Sequence, residues 1–407
     1  MELFCGIDWA EGHHDVALVD QDGSLVAKRR IETGANGFAD LLALITEQPG
    51  EPSSVPVAIE TDKNLIVVAL QAAGHDVYAL NPKAVARYRE RHGQAGGKSD
   101  PGDAVVLANI LRTDRHNHRP MPDLSEKALA VRALARQHQE AIWARQLTVN
   151  RLRSVLLEFF PAALAAFPVL THKAALEVLA AVPSPAAGLK LTHKRLVVLL
   201  RRSGRGDRPG LADAVLSRFR EPALRQPPLV EEALGHAVVG LVGVIKSMEG
   251  AIADLGAAMT SAFEEHELST IISAVPGLGP VLGARVLAEI GDDPDRFASA
   301  ACVRAFAGTA PITRASGRSK SVRMRYVRNR RLADACHWWA FAAISRSAGS
   351  RAHYDSRRAA GDTHNAALRH LANKLLGRLW WCLVHNVGWD ERQAWPRATA
   401  HTIEAAA

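Results

Sequence analysis

The chain has 407 residues, is 48% apolar and carries a formal net charge of +8. That length points to two or three domains with ordinary cores, and the positive excess favours a polyanionic partner over a small acidic ligand. Four scattered cysteines, Cys5, Cys302, Cys336 and Cys382, exclude a C-x-x-C zinc ribbon or a disulfide framework and fit a reducing cytoplasm. No basic leader and no charge-free run of 18 apolar residues is present, so neither a signal peptide nor a membrane span is expected.

Residues 3–9 and 15–20 read as strands, Asp22-Gly23 as a hairpin turn and 24–31 as a third strand. A helix over 35–48 follows, with Phe38, Leu41, Leu42 and Ile45 on one face. Residues 55–60 make a short buried strand, 64–73 a helix, 76–80 a strand, and Asn81-Pro82 opens a helix to about Arg91. A meander followed by alternating helices and strands is α/β with a mixed sheet, the layout of ribonuclease-H-like folds. A Gly-rich loop over 92–99 leads to a helix over 101–113. Residues 125–160 and 229–268 read as two long helices. Between them, 183–228 hold several Pro and Gly residues and read as irregular or partly helical. Two long helices around such a region point to an antiparallel coiled-coil arm or a dimer element. Val275-Pro276-Gly277-Leu278-Gly279-Pro280 reads as a Gly hairpin entering a helix, and 331–347 and 363–388 as two more helices. The expected organisation is 1–120, α/β; 121–268, helical or coiled coil; and 269–395, mostly α-helical.

Four carboxylates stand out: Asp8 at the end of the first strand, Glu60 at the end of another, and Asp100 with Asp103 at the start of a helix. An acid at the edge of a core is costly unless its charge is answered, and a divalent cation answers it. Two cations about 3.5–4 Å apart would orient a nucleophile and stabilise a leaving oxygen at a phosphodiester. Helix capping also explains Asp100-Pro101-Gly102-Asp103, with Asp100 as N-cap and Asp103 as a first-turn acid. The two roles are compatible, because both leave the carboxylates at one end of one helix.

A second cluster is basic. From Arg296 to Ala333 there are ten Lys or Arg and no Asp or Glu, including Arg314, Arg318, Lys320, Arg323, Arg325 and Arg328. A solvated face is the common origin of such a run, but so many unanswered charges are better explained by phosphates. Ser316 lies within this run, next to Gly317, and neighbouring guanidinium groups would stabilise charge on a pentavalent phosphorus. Its chemistry alone does not separate it from Ser319 or Ser321. Pro276-Gly277-Leu278-Gly279-Pro280 resembles a helix-hairpin-helix, whose Gly amides contact phosphates, and fits a plain helical junction equally well. His13, His14, His116 and His118 lack any ligand spacing and read as surface residues. The pairs Trp338-Trp339 and Trp380-Trp381 read as core or interface.

These motifs together resemble the DEDD insertion-sequence transposases, which join a RuvC-like N-terminal domain to a C-terminal transposase domain through a coiled-coil region. The resemblance rests on Gly6-Ile7-Asp8, Ile59-Glu60-Thr61, Lys98-Ser99-Asp100 through Asp103-Ala104, Val275-Pro276-Gly277-Leu278-Gly279, Gly308-Thr309-Ala310-Pro311 and Ala315-Ser316-Gly317. The family's second glycine after the serine is replaced here by Arg318, with Lys320 close behind. The resemblance implies metal ligands at Asp8, Glu60, Asp100 and Asp103, with Mg²⁺ or Mn²⁺ as cofactor. It also implies a nucleophilic Ser316 that links covalently to DNA, and the acid-free run around it is expected to place Arg314, Gly317, Arg318, Lys320, Arg323, Arg325 and Arg328 on nucleic acid. Implied partners are donor and target DNA, a non-coding bridge RNA that guides the reaction, and further copies of the chain in a dimer or tetramer. Two rival readings remain open at this point: a RuvC-like structure-specific endonuclease acting by metal-assisted hydrolysis, and a non-catalytic nucleic-acid-binding protein.

Overall fold

A computed structural model describes residues 2–48, 55–92, 100–204 and 210–396. The Gly-rich stretch at 93–99 and the side chain of Asp100 lie outside the described residues. The chain divides into two compact units, Met1–Asp123 and Leu124–Ala407.

The first unit is built on β1 (Leu3–Trp9), β2 (His13–Asp20) and β3 (Leu25–Glu32), followed by α1 (Ala35–Thr46), β4 (Val57–Ile59), α2 (Leu65–Ala72), β5 (Val77–Ala79), α3 (Pro82–His92) and α4 (Asp100–Asp114). The sheet order is β3-β2-β1-β4-β5. The meander pairs antiparallel, and β4 joins β1 and β5 in parallel, as the α/β pattern predicts. Alternation along the strands sorts the side chains. Leu3, Cys5, Ile7, Val57 and Ile59 pack with Leu41, Ile45 and Leu70 on one face. Phe4, Ala58 and Tyr78 pack with Leu107, Ala108 and Leu111 of α4 on the other. Burying each such leucine contributes roughly 1.5–3 kcal/mol, so α4 is firmly seated. Gly6 permits its close approach, because a Cβ there would overlap the Ala104 carbonyl oxygen and lie 2.5 Å from the Ala108 nitrogen.

The second unit is helical apart from one hairpin. Helix α5 (Glu126–Phe159) starts at the Ser125 cap and leads to α6 (Pro161–Ala166) and α7 (Lys173–Ala181). The Pro- and Gly-bearing stretch, expected to be irregular or partly helical, holds three short helices, α8 (Pro185–Leu189), α9 (His193–Arg202) and α10 (Leu211–Arg220). The supposed breakers act as punctuation: Pro185 takes the first helical position behind the Ser184 cap, and Gly210 caps α10 with φ 73°. Leu196, Leu199 and Leu200 of α9 and Val215, Leu216 and Phe219 of α10 supply the buried faces.

Helix α11 (Pro228–Glu264) then runs antiparallel to α5. The direction follows from the pairs Lys127–Glu267, His138 beside Gly256, and Arg145–Glu249. This pair of helices contributes to two cores. Val149, Leu152, Leu156, Val238 and Val242 pack with α6 to α10, whereas Val131, Ala135, Met259 and Phe263 join the C-terminal helices. Among the described helices, α11 is the one long and apolar enough by composition to cross a membrane.

The C-terminal elements are α12 (Ser269–Ser273), α13 (Pro280–Ile290), α14 (Ala300–Phe306), β6 (Ile312–Ser316), β7 (Ser319–Arg323), α15 (Arg330–Ile344), α16 (Ala348–Ala359), α17 (His364–His385) and α18 (Glu391–Ala394). The Gly turn between α12 and α13 is a tight packing junction: Gly277 has φ +86°, and a Cβ there would sit 2.7 Å from the Ala343 nitrogen on α15. Trp339 is fully buried and donates its indole N–H to the Pro276 carbonyl at 3.0 Å. His14, expected at the surface, is buried on β2, where burial lowers its pKa.

Candidate active site

Strand alternation positions the first two acids. In the parallel register Ile7 faces Ile59, so Asp8, near the carboxyl end of β1, and Glu60, just past the end of β4, are the next positions along the two strands. Both follow residues packed on the α1/α2 side, which turns them to the face covered by α4. Asp103 is in the first turn of α4, one turn ahead of the buried Leu107, and is itself 6% exposed. The three acids line one cleft of about 400 Å³, together with Trp9, Ala86 and Arg89. Asp100 opens α4 three residues before Asp103, a spacing that places two positions on one helical face.

Two charge relationships shape this cleft, and the sequence announced neither. Arg89 of α3 places Nη2 2.6 Å from Asp103 Oδ1, while its Nε is buried without a hydrogen-bond partner. Asp15 stands directly across from Asp8 in the antiparallel pair. Two neighbouring carboxylates would resist joint ionisation, but Arg30 grips Asp15 with both Nε and Nη2, at 3.2 and 2.8 Å. Arg30 is in turn the cross-strand partner of Asp15 on β3. Among the described residues, no three His, Cys, Asp or Glu side chains are grouped closely enough to hold a metal ion.

The serine stretch forms a hairpin in the second unit. Ser316 ends β6 and pairs with Ser319 at the start of β7, so Gly317 and Arg318 make a two-residue turn. Gly317 has φ +53°, at the first central position, where glycine serves type II′ hairpins. Pairing puts Ser316, Ser319, Arg314, Ser321 and Arg323 on one face, and Ala315, Lys320, Thr313 and Val322 on the other. Ser316, Gly317, Arg318, Ser319 and Lys320 are all exposed. Among the described residues, Arg314, Arg318, Lys320 and Arg323 have no carboxylate partner. The face therefore combines three hydroxyls with unanswered positive charge, and the register does not separate Ser316 from Ser319 and Ser321. Arg325 and Arg328 lie beyond the strands. Arg328 packs over Gly308, whose φ is +71°, and donates from Nη1 to the Arg325 carbonyl at 2.9 Å.

Known proteins match the chain on both of these regions. Residues 5–161 match a transposase family model of the DEDD IS110 type, and residues 269–355 match the model described as Transposase IS116/IS110/IS902 family. A Streptomyces coelicolor protein named for the transposase of the IS117 mini-circle is 49% identical over 100% of this chain and 99% of its own length. A 44.8 kDa protein of insertion element IS116 from Streptomyces clavuligerus is 31% identical over 93% of this chain and 94% of its own. The chain belongs to the IS116/IS110/IS902 transposase family. It is a DNA transposase, and both the acidic cleft and the serine hairpin fall inside the regions that carry the family match. In the transposase, Arg89 and Arg30 are the site-shaping residues that sequence reading missed. Arg30 had a faint signal, a cation on a strand with the period of its neighbours, whereas Arg89 looks like any other charge on a basic helix.

Proposed function

We propose that this transposase cuts and rejoins DNA through a covalent intermediate on Ser316, with Asp8, Glu60, Asp100 and Asp103 as a divalent metal site. The reading is supported by the presence, in one chain, of a three-acid cleft at the carboxyl ends of parallel strands and an exposed basic hairpin bearing the serine. The first unit serves as a ribonuclease-H-like, RuvC-like catalytic domain over 1–120. The long helices of 121–268 form a coiled-coil arm, and 269–395 form the transposase domain. Carboxylate oxygens are the donor type that suits Mg²⁺ or Mn²⁺, and Asp8, Glu60 and Asp103 line one cleft from which they could converge on an ion. Arg89 answers the charge of Asp103.

A bound divalent ion supplies Lewis acidity to a phosphodiester and charge to a leaving oxygen. The protein's own residues do the rest. Arg314 and Arg323 flank the Ser316 face and neutralise the phosphate that docks there. The Ser316 oxygen forms one bond to phosphorus as the bond to a deoxyribose oxygen breaks. The hydroxyl proton passes to a nearby base, and the departing oxygen is protonated in turn. One ester replaces another, so rejoining by the reverse attack needs no external energy source. A guide RNA that pairs with donor and target DNA accounts for a basic chain without a base-reading motif. Two or four protomers would bring the acids of one to the serine of another.

The deciding measurement is adduct trapping on a nicked DNA substrate, with the modified residue mapped by mass spectrometry. Ser316→Ala should bind DNA and form no adduct, while Ser319→Ala and Ser321→Ala keep adduct formation. An adduct that persists in Ser316→Ala would move the nucleophile to another residue, and cleavage by water with no adduct in the natural protein would leave hydrolysis by the acids as the mechanism.

A further inference from the structure

A basic cavity lies between α14, α17 and the C-terminal segment, with a volume of about 410 Å³. None of its lining residues belongs to the serine hairpin. Arg304 enters from α14 and lies across Gly377 of α17, where any Cβ would overlap its guanidinium. Lys374 and Arg378, one helical turn apart on α17, supply two more cations, and Trp381 continues the same stripe. The Nε of Arg304 is buried and has no hydrogen-bond partner. Neither Arg304 nor Lys374 has a carboxylate partner among the described residues.

The carboxylates nearby are already engaged. Asp390, the one acid in the lining, accepts the backbone N–H groups of Arg392 and Gln393 at 2.8 and 3.2 Å as the cap of α18. Glu391 accepts from the Ser347 hydroxyl, the Gly349 N–H and the Trp389 indole N–H. Three cations, of which Arg378 donates to the Gln393 carbonyl at 3.0 Å, face Asp390 in the lining and Glu391 beside it, which leaves an excess of one positive charge in a concave, partly apolar space. Guanidinium groups crowded together are unfavourable without an anion, and burial together with Arg304 lowers the Arg378 pKa. Packing an arginine over a glycine that only just admits it, beside two more cations, is a construction that a counter-anion would complete.

We propose that this cavity binds a phosphate group of a nucleic-acid strand, held by Arg304, Lys374 and Arg378, at a place apart from the serine hairpin. Arginine forks and a lysine point charge together suit a tetrahedral oxyanion. The volume exceeds that of a bare ion, and Trp381, 42% exposed, offers an aromatic wall for the attached sugar or base. A second anchor outside the hairpin would fix the angle at which the strand crosses this unit. The site stands apart from the proposed serine chemistry, because it requires only a phosphate.

The test has two arms on the full-length chain, comparing the natural protein with Lys374→Ala and Lys374→Ala/Arg378→Gln. In the first arm, inorganic phosphate should raise the melting temperature of the natural protein more than sodium chloride of equal ionic strength. Lys374→Ala, at an exposed position, should lose most of that rise with an unchanged starting melting temperature. In the second arm, the log–log salt dependence of duplex DNA or single-stranded RNA binding should fall by about 0.7–0.9 in the variants, the loss of one phosphate contact. A lost phosphate response with unchanged slopes for both nucleic acids would assign the cavity to a free anion and overturn the strand assignment. No phosphate response and unchanged slopes would overturn the site altogether. Adduct formation at Ser316, read separately, reports on the serine mechanism alone.

Discussion

The Nη2 atom of Arg89 lies 2.6 Å from Oδ1 of Asp103, inside the cleft that Asp8 and Glu60 also line. The guanidinium answers the charge of an almost fully buried carboxylate, the same service a metal would perform. A cation arriving at Asp103 must therefore compete with Arg89. Arg89→Gln should tighten Mn²⁺ binding about three- to tenfold by calorimetry on the folded protein, whereas Asp103→Asn should abolish it. Weaker binding in Arg89→Gln would make the arginine a support for Asp103 and not a competitor.

Gly6 sets the distance between β1 and α4, the two elements that carry Asp8 and Asp103. Gly6→Ala forces the added methyl against the α4 backbone. Overpacking of this kind costs about 1–3 kcal/mol. The melting temperature should drop and Mn²⁺ binding should weaken with it. Gly317→Ala is the control: its Cβ meets open space, so its cost is confined to the positive φ, about 1 kcal/mol. Equal destabilisation by the two substitutions would contradict the close packing at Gly6.

The hairpin register predicts unequal contributions to DNA binding. Arg314 and Arg323 share the Ser316 face, and Lys320 is on the opposite one. Replacing Arg314 and Arg323 with Gln should lower the salt slope for duplex DNA by about two units, one phosphate contact each. Lys320→Gln alone should change it far less. Arg328→Ala, which removes packing on Gly308, should lower the melting temperature more than the slope. Filter binding at several salt concentrations separates these outcomes.

His353 predicts an acid-sensitive C-terminal unit. Burial, then Lys374, His370 and Arg357, push its pKa from 6.5 down to about 4. Its Nε2 is buried without a partner, and its ring packs beside Trp395. Between pH 6.5 and about 4 the unfolded chain takes up a proton that the folded chain refuses, so stability falls as pH falls through that window. His138 and His370, in the same unit, are shifted the same way and add to the slope. Denaturant melts at pH 7 and pH 5 should show a smaller loss for His353→Gln than for the natural protein. An equal loss would remove His353 from the acid response.

Much of the first unit was legible because its signals are local. The alternation of Leu3-Phe4-Cys5-Gly6-Ile7-Asp8 and of Val57-Ala58-Ile59-Glu60 assigns faces without knowledge of the partner strands, since the side-chain period of a strand is two. The long helices α5 and α11 were legible for the same reason, as uninterrupted helical patterns. The helices of 183–228 were not, because a proline at a first helical position and one inside a helix look alike until the end of the helix is known. Contacts set by which helix lands on which surface were out of reach altogether. Arg89 meets Asp103 only once α3 and α4 cover the same face of the sheet, and Arg304 meets Arg378 only because Gly377 lets α14 lie against α17. Composition and motif determined that this chain carries acids, a serine and a basic excess. Tertiary packing alone decided that three of those acids share a cleft, that an arginine occupies one of them, and that Ser316, Ser319 and Ser321 face the same way. Such proximities depend on long-range pairing, and residue order does not encode that pairing in any local pattern.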